Sequence, residues 1–376
     1  MNLTISFNST SQRQTNWSFP YHAILTCRNT TDITMFLVTL YSMETIIGIL
    51  GNLCLIGILT KHKDKAIVTN IFIANLIASD LIMCIFCLPF TIATLLMKYW
   101  LFGEGMCRMI SFIQCTSVTV SILSLVLIAL ERHQLIINPT GWRPSISQAH
   151  LGIAVVWIFS AILSLPFVTN STLNNVDLAQ FHITDSYATK DMCMNSWPSE
   201  KYKIIYSTVL LLLQYCIPLI LIVVCYLHIY LQLQKREGMF KNHDYSCRRI
   251  QLKRINILLA CMVVAFAVCW LPLHVFNSIA DWDYKMIPNC LHDLIFSLCH
   301  LVAMASACIN PIIYGFLNKN FKKEVKDLIL NCQHRPSLQD YENVPLSTLQ
   351  TDISKGFAQS NFPQNLTCPV TTILKS

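Results

Sequence analysis

The sequence predicts an all-α membrane protein, a seven-transmembrane helix bundle, and three observations carry that expectation. Only 12% of the residues are charged while 54% are hydrophobic, about half the ~25% charge content of soluble domains. The apolar residues come in blocks rather than in alternation, and seven blocks reach the ~20 residues that a spanning helix needs. Basic residues gather between certain blocks and not others, the bias that orients membrane helices.

The blocks run over residues 35–60, 69–97, 106–137, 147–169, 204–233, 255–279 and 289–316. Residues 1–34 are polar and lack the apolar h-region of a cleavable signal, so the first span is expected to act as its own insertion signal. The loop after span one reads KHKDK, the loop before span six carries QKREG and CRRIQLKR, and span seven runs into NKNFKKEVK. The opposite side carries Asp177, Asp185, Asp191, Glu200, Asp281, Asp283 and Asp293. This pattern places the N-terminus outside and the C-terminus in the cytoplasm. The net charge of +7 is mostly this inner-side bias and does not point to nucleic acid. Asn2, Asn8, Asn16, Asn29 and Asn170 each begin an N-x-S/T triplet on the outer side, as expected of glycosylation sites. Asn365 also fits the triplet but falls on the inner side and should stay bare. Residues 333–376 are polar and read as a disordered tail.

Of the 17 cysteines, most sit inside spans as small hydrophobes. Cys27, Cys107, Cys193 and Cys290 face the oxidising side. Pairing Cys107 at the head of span three with Cys193 would tether the long loop before span five, and Cys27 with Cys290 would tie the N-terminal segment to the last outer loop. Cys84 and Cys87 form a C-x-x-C inside span two, best read as packing.

Polar groups inside spans are costly and are functional candidates by default. Asp80 lies mid-span in NLIASDLIMC, and Asn52 of span one and Asn310 of span seven sit at similar depth, with Ser117 and Ser121 of span three able to complete the cluster. This cluster is either a small cation or proton site coupled to conformation, or a polar knot between helices. Pro89, Pro166, Pro218, Pro272 and Pro311 lie within five spans. Each frees a carbonyl four residues back, Val268 for Pro272 and Ala307 for Pro311, and such a carbonyl needs a polar partner in lipid. Phe266, Trp270, Asn277 and Asp281 form one face of span six, with Leu273 and His274 between. Gln114, Ser117, Ser121 and Ser124 form a similar stripe on span three, and Arg132 follows Gln114 by about five turns, ~27 Å, on the same face. Arg132 either changes partners at the inner end of that helix, with Glu131 holding it at rest, or is a snorkelling arginine that marks the membrane interface, and a single span favours the second reading.

Together these residues resemble a rhodopsin-like G-protein-coupled receptor. The matches are Gly51–Asn52, NLIASD ending at Asp80, Cys107, ERH at 131–133, Trp157, Pro218, FAVCWLP at 266–272 and NPIIY at 310–314, followed by the amphipathic FLNKNFKKEVKDLI. They cover residues ~30–335. Within that class LVLIALERHQLIINPTGWRPSISQAHLGI, CWLPLHVFNS and HLVAMASACINPIIYGFLN are similar to the neuropeptide Y receptor family. Its pancreatic polypeptide-preferring members look most alike.

The resemblance implies a plasma-membrane receptor, not an enzyme, with a short amphipathic cytoplasmic eighth helix over 317–332. Its ligand would be a C-terminally amidated peptide ending Arg-x-Arg-Tyr-amide. Gln114 and Gln214 would meet the uncharged amide, Asp281 a ligand arginine, Asn277 and His300 family pocket positions, and Trp270 and Phe276 aromatic walls. Activation would swing span six at Pro272, release Arg132 from Glu131 and involve Asn310, Pro311 and Tyr314. The partners implied are an inhibitory heterotrimeric G protein, arrestin and membrane lipid. An allosteric sodium ion at Asn52, Asp80, Ser117, Ser121 and Asn310 is the one small cofactor implied. Cys332 fits palmitoylation, and Ser337, Ser347, Thr348, Thr351 and Ser354 fit either phosphorylation or a plain solvated spacer. Departures are His133 where Tyr is usual, the lack of an acid at the start of span six, Thr94 where a close relative has a pocket Tyr, and Lys98 where an acid is usual. A transporter would show paired repeats, and the spans show none. An intramembrane enzyme would need H-E-x-x-H, G-x-S-x-G or a second span-buried carboxylate near Asp80, and none is evident in the sequence.

Overall fold

In the computed structural model, residues 30–61, 68–138, 141, 143–177, 189–235, 243–282, 289–317 and 326 are described. The chain forms helix α1 over Thr30–Lys61 and a second span, α2, that runs from Val68 to Met97. Helix α3 covers Gly103–Ile137 and α4 covers Ile146–Asn170. A hairpin of β1 (Ser171–Asp177) and β2 (Thr189–Asn195) follows. Helix α5 spans Glu200–Lys235 and α6 spans His243–Trp282. The seventh span is broken at Ala305 into α7 (Asn289–Met304) and α8 (Ser306–Leu317).

All seven spans are long and apolar enough to cross a membrane. They differ in how much they bury: 67% of the most apolar window of α3 lies inside the protein, against 17% for α4. Helix α3 is therefore the axis of the bundle and α4 an outer stave. Helix α4 turns Leu151, Ile158 and Ile162 outward, and α5 does the same with Ile220 and Val223. In water such apolar exposure would be a liability; in lipid it is the ordinary outer surface. Helix α4 begins with a capping box, in which Ser145 and Gln148 satisfy each other's backbone N–H groups.

The prolines act as expected in one case and differently in others. The Ala307 carbonyl, left without its helical donor by Pro311, accepts from Asn52 Nδ2 at 2.9 Å. Near Pro272 the freed turn is bordered by Tyr215, whose hydroxyl donates to Ala267 O at 2.9 Å. Before Pro89 and Pro218 the helix widens instead into a π turn, over Met83–Cys87 in α2 and Leu212–Cys216 in α5. A wider turn moves the ring of the proline away from the carbonyl it would strike.

The long loop before span five is an antiparallel hairpin, with Leu173 opposite Cys193, which the sequence did not indicate. The Cys107–Cys193 disulfide fixes its second strand to the head of α3. Trp100 N–H donates to Asp191 O at 2.7 Å, so the loop after α2 also holds this strand. Trp100, Phe90 and Phe102 pack edge and face beside the disulfide. The Cys27–Cys290 pairing lies outside the described side chains. Asn2, Asn8, Asn16, Asn29, Cys332 and the tail also lie outside the described residues, as does the amphipathic segment over 317–332 apart from Leu317 and Lys326.

Helix α1 approaches its neighbours closely through glycine. A Cβ on Gly48 would stand 2.4 Å from Cys84 Sγ, and one on Gly51 would stand 2.8 Å from Pro311 Cγ, whereas Gly57 has open space around it. Gly48→Val is therefore expected to destabilise the bundle by about 1–3 kcal/mol, the usual cost of overpacking. Thermal unfolding of the purified protein in detergent checks this, with Gly57→Val expected to unfold as the wild type does.

Candidate functional site

Three polar layers follow one another down α3. The outer layer starts at Gln114, whose amide sits 2.9 Å from His300 Nε2 of α7. His300 Nδ1 is in turn 2.9 Å from the Tyr41 hydroxyl of α1, and this hydroxyl also reaches Ser297 O. Three helices thus meet at a buried imidazole. Gln214 faces elsewhere. Its amide nitrogen Nε2 donates to Thr119 Oγ1 at 2.6 Å and lies 3.3 Å from Cys115 O, buried between α3 and α5. The two glutamines that the sequence joined in one role are therefore held by separate partners.

Helix α6 supplies the rest of this layer. Trp270 stacks on Phe266 and donates Nε1–H to Ser306 Oγ at 3.1 Å, at the break between α7 and α8. Phe276 is buried against His292 and Phe296 of α7, so its ring fills the α6–α7 seam. Asn277 is exposed. Asp281, one turn further out, is paired with Lys203 of α5 at 2.9 Å, with the carboxylate side chain only 12% exposed.

The middle layer surrounds Asp80. Oδ2 accepts from Asn310 Nδ2 at 2.7 Å and Oδ1 from Ser121 Oγ at 3.3 Å. Ser79 Oγ is 2.8 Å from Ser121 Oγ. Asn52 belongs to the same level but spends its amide on the Gly48 and Ala307 carbonyls. Ser117 Oγ and Asn52 Oδ1 are buried with no hydrogen-bond partner among the described residues. Hard cations take oxygen ligands, and this carboxylate with two serine hydroxyls offers an oxygen-only donor set, so the residues fit sodium. One turn below, Asn75 of α2 donates to Ser124 Oγ and accepts from Trp157 Nε1–H, tying α2, α3 and α4 together.

The inner layer holds Arg132. Its Nε lies 3.4 Å from Glu131 Oε2, and its Nη2 donates to Thr69 Oγ1 at 2.7 Å. The Thr69 hydroxyl donates onward to both Glu131 oxygens at 2.8 Å. Glu131 was expected to be the main restraint; the shorter contact to the guanidinium comes from Thr69 of α2. Adjacent residues on a helix do not squarely face each other, and a hydroxyl from the neighbouring helix bridges the misalignment. Tyr226 of α5 and Tyr314 of α8 stand within electrostatic reach of Arg132, and Tyr314 is buried.

The comparisons with known proteins decide what such a bundle is. The family model described as the 7 transmembrane receptor (rhodopsin family) matches residues 51–314. Neuropeptide Y receptor type 4-2 of Homo sapiens is 55% identical over 90% of this chain and 90% of its own. Neuropeptide Y receptor type 4 of Mus musculus is 54% identical over 91% and 93%, and neuropeptide Y receptor type 1 of Xenopus laevis is 48% identical over 84% and 86%. The chain belongs to the neuropeptide Y receptors of the rhodopsin family. It is therefore a multi-pass membrane receptor that works with a G protein and not an enzyme.

Three features of the receptor had little signal in the sequence. Thr69 is one threonine among many at span ends. Glu44 is a further carboxylate within a span: it lies in α1 with Oε2 buried and unpaired among the described residues. Its spacing of four from Gly48, and of four again to Asn52, would have placed it on the inward stripe. His133 meets His228 of α5 at 3.3 Å. Asn170, one of the expected glycosylation sites, closes α4 with its side chain buried and Nδ2 donated to Pro166 O at 2.7 Å. A glycan on that nitrogen leaves one N–H for this contact but requires the packing around the buried amide to open.

Thr69→Val keeps the shape of the side chain and removes the bridging hydroxyl. A hydrogen bond to a charged group is worth about 1.5–3 kcal/mol, and losing it from the resting state alone raises the active fraction by roughly tenfold or more. Agonist-independent nucleotide exchange on G protein in membranes is the measurement. Basal exchange equal to wild type at equal receptor density would remove Thr69 from the restraint.

Proposed function

We propose that this receptor binds a C-terminally amidated peptide of the neuropeptide Y, peptide YY and pancreatic polypeptide family, prefers pancreatic polypeptide, and lowers cyclic AMP through inhibitory G proteins. The type 4 names among its relatives support the subtype. The N-terminus is outside and the C-terminus cytoplasmic, as the basic loops require. The observation that carries the ligand class is Asp281. It stands at the end of α6 and is paired with Lys203 among the described residues. An arginine of the peptide replaces that ammonium with a planar guanidinium that bonds the carboxylate twice. Deeper in, the uncharged amide end meets Gln114, whose own amide sits beside His300. Phe276 and His300 wall the pocket from the positions described above, and Gln214, Asn277 and Trp270 complete the set of ligand-facing residues.

Binding shifts a population: the peptide favours the state in which α6 has moved at Pro272 and Arg132 has left Thr69 and Glu131, by its differential affinity for that state. Sodium at Asp80, with Ser117 and Ser121 as further oxygen ligands, favours the resting state. Arrestin engages the phosphorylated tail afterwards.

The direct test is cyclic AMP in forskolin-treated cells expressing the receptor, across the three peptides. A potent fall led by pancreatic polypeptide supports the proposal. A fall led by another of the three keeps the family of ligands and overturns the preference, and silence to all three with receptor at the surface overturns the ligand class.

Two substitutions test the carboxylate. Truncating one partner of a desolvated charge pair costs about 2–5 kcal/mol, so Asp281→Ala should weaken peptide affinity by about 30-fold or more with surface expression retained. Lys203→Met frees the carboxylate from a partly exposed pair worth up to about 1 kcal/mol, so radioligand affinity should rise by up to about fivefold. A loss of affinity in Lys203→Met would mean that Lys203 itself contacts the ligand.

A further inference from the structure

At the end of the bundle that carries Arg132, α3 and α5 each present a histidine to the other. His133 Nε2 lies 3.3 Å from His228 Nδ1, with ring centroids 5.6 Å apart and the rings inclined by 33°. His228 is exposed and His133 half-buried, so the space between the rings opens to the surface. Neither ring belongs to the Arg132 network, which turns away toward Thr69 of α2.

Two arrangements bring imidazole nitrogens together. One ring can donate N–H to the other, but hydrogen bonds from nitrogen cluster at about 2.9–3.0 Å and thin out beyond about 3.2 Å. Alternatively both nitrogens can share a metal ion. Tetrahedral zinc holds imidazole nitrogen at about 2.0–2.1 Å, and two such bonds at the tetrahedral angle put the nitrogens about 3.3–3.4 Å apart. That is the separation the two helices set. The scaffold beneath is packed. Ile136, one turn from His133, lies in an apolar cluster with Ile229 and Leu233 of α5, and Ile229 adjoins His228. The two ligands therefore start in place and need little ordering on binding. Imidazole suits zinc, copper and nickel, whereas magnesium and calcium take oxygen.

We propose that His133 and His228 form a two-imidazole site for a transition-metal ion of the zinc class, which clips α3 to α5 beside Arg132. No group of three ligating side chains converges among the described residues. The ion thus keeps two coordination positions for water or for a ligand from a docked protein. A clip at this seam fixes the spacing of two helices at the end where Arg132 changes partners, so metal occupancy and coupling are linked through the same few ångströms.

The experiment is equilibrium dialysis of ZnCl2 against the tag-free, full-length receptor in detergent, comparing wild type with His133→Gln and His228→Gln. The expected result is a saturable zinc site in the wild type, above the background of the remaining histidines, that weakens by about tenfold or more in each variant, since each loses one of two protein ligands. Magnesium at the same concentration should not compete. Isotherms that coincide for all three proteins overturn the proposal. Thermal unfolding is the second readout: zinc should raise the Tm of the wild type and of neither variant. A wild-type Tm indifferent to saturating zinc, or an equal rise in all three proteins, overturns it as well.

Discussion

A carboxylate in the middle of a lipid-embedded bundle has to be solvated by protein, and Asp80 sets that requirement for this receptor. Isolated burial of such a charge is prohibitively costly, and partners with well-aimed donors are what make it tolerable. Asn310 of α8 and Ser121 of α3 provide them, so three helices must hold their relative height for the site to exist. The constraint spreads from there. Asn310 adjoins Pro311; Pro311 strips Ala307 of its helical donor; Asn52 of α1 makes good the loss; and Gly51, on the same helix, lets the backbone come close enough to Pro311 to do so. The packing of α1 against α8 is thus a consequence of where polar groups need partners rather than of apolar area, which lipid offers equally well.

Helix α3 gathers the functional groups because it is the most enclosed span. Cys107 at its head carries the hairpin, Gln114 carries the outer layer, Ser121 and Ser124 the middle, and Glu131 and Arg132 the inner one. The outer layer borrows His300 from α7, while the middle and inner layers both draw on α2, through Asp80 and Asn75 with Asn310 of α8 in the one and through Thr69 in the other. The ends of the bundle therefore communicate through helices that share α3 and need not touch each other. This arrangement is suited to a population shift between two packings, since a small rotation of one neighbour exchanges hydrogen-bond partners without breaking the core.

Much of this was legible in the sequence, for a physical reason. Spans declare themselves because lipid demands long apolar runs, and Asp80, Asn52 and Asn310 stand out because few polar residues are admitted there. The Cys107–Cys193 link was readable because few cysteines face the outside. What stayed hidden depends on rotation and on partners. That Gln214 meets Thr119 and Cys115 is one such case, because it lies within a π turn that a 3.6-residue period does not anticipate. Thr69 was invisible because its role comes from its position against the next helix and not from its type. The hairpin had no tight-turn signal, and its strands owe their pairing to the disulfide and to Trp100 as much as to their own pattern.

The π turn in α5 also bears on how this helix can vary. One extra residue in a turn advances everything beyond it by about 100° around the helix axis and by about 1.5 Å along it. Lys203 lies above that turn and Tyr226 and His228 below it, so the outer and inner halves of one continuous helix are out of phase with each other. Deleting a single residue from Leu212–Cys216 would bring the halves back into phase and turn Lys203 off Asp281 while leaving every lower contact unmoved. The widened turn is thus a vernier between ligand side and coupling side: an insertion or deletion there can re-aim one end of the receptor without altering the amino-acid identity of any group at the other.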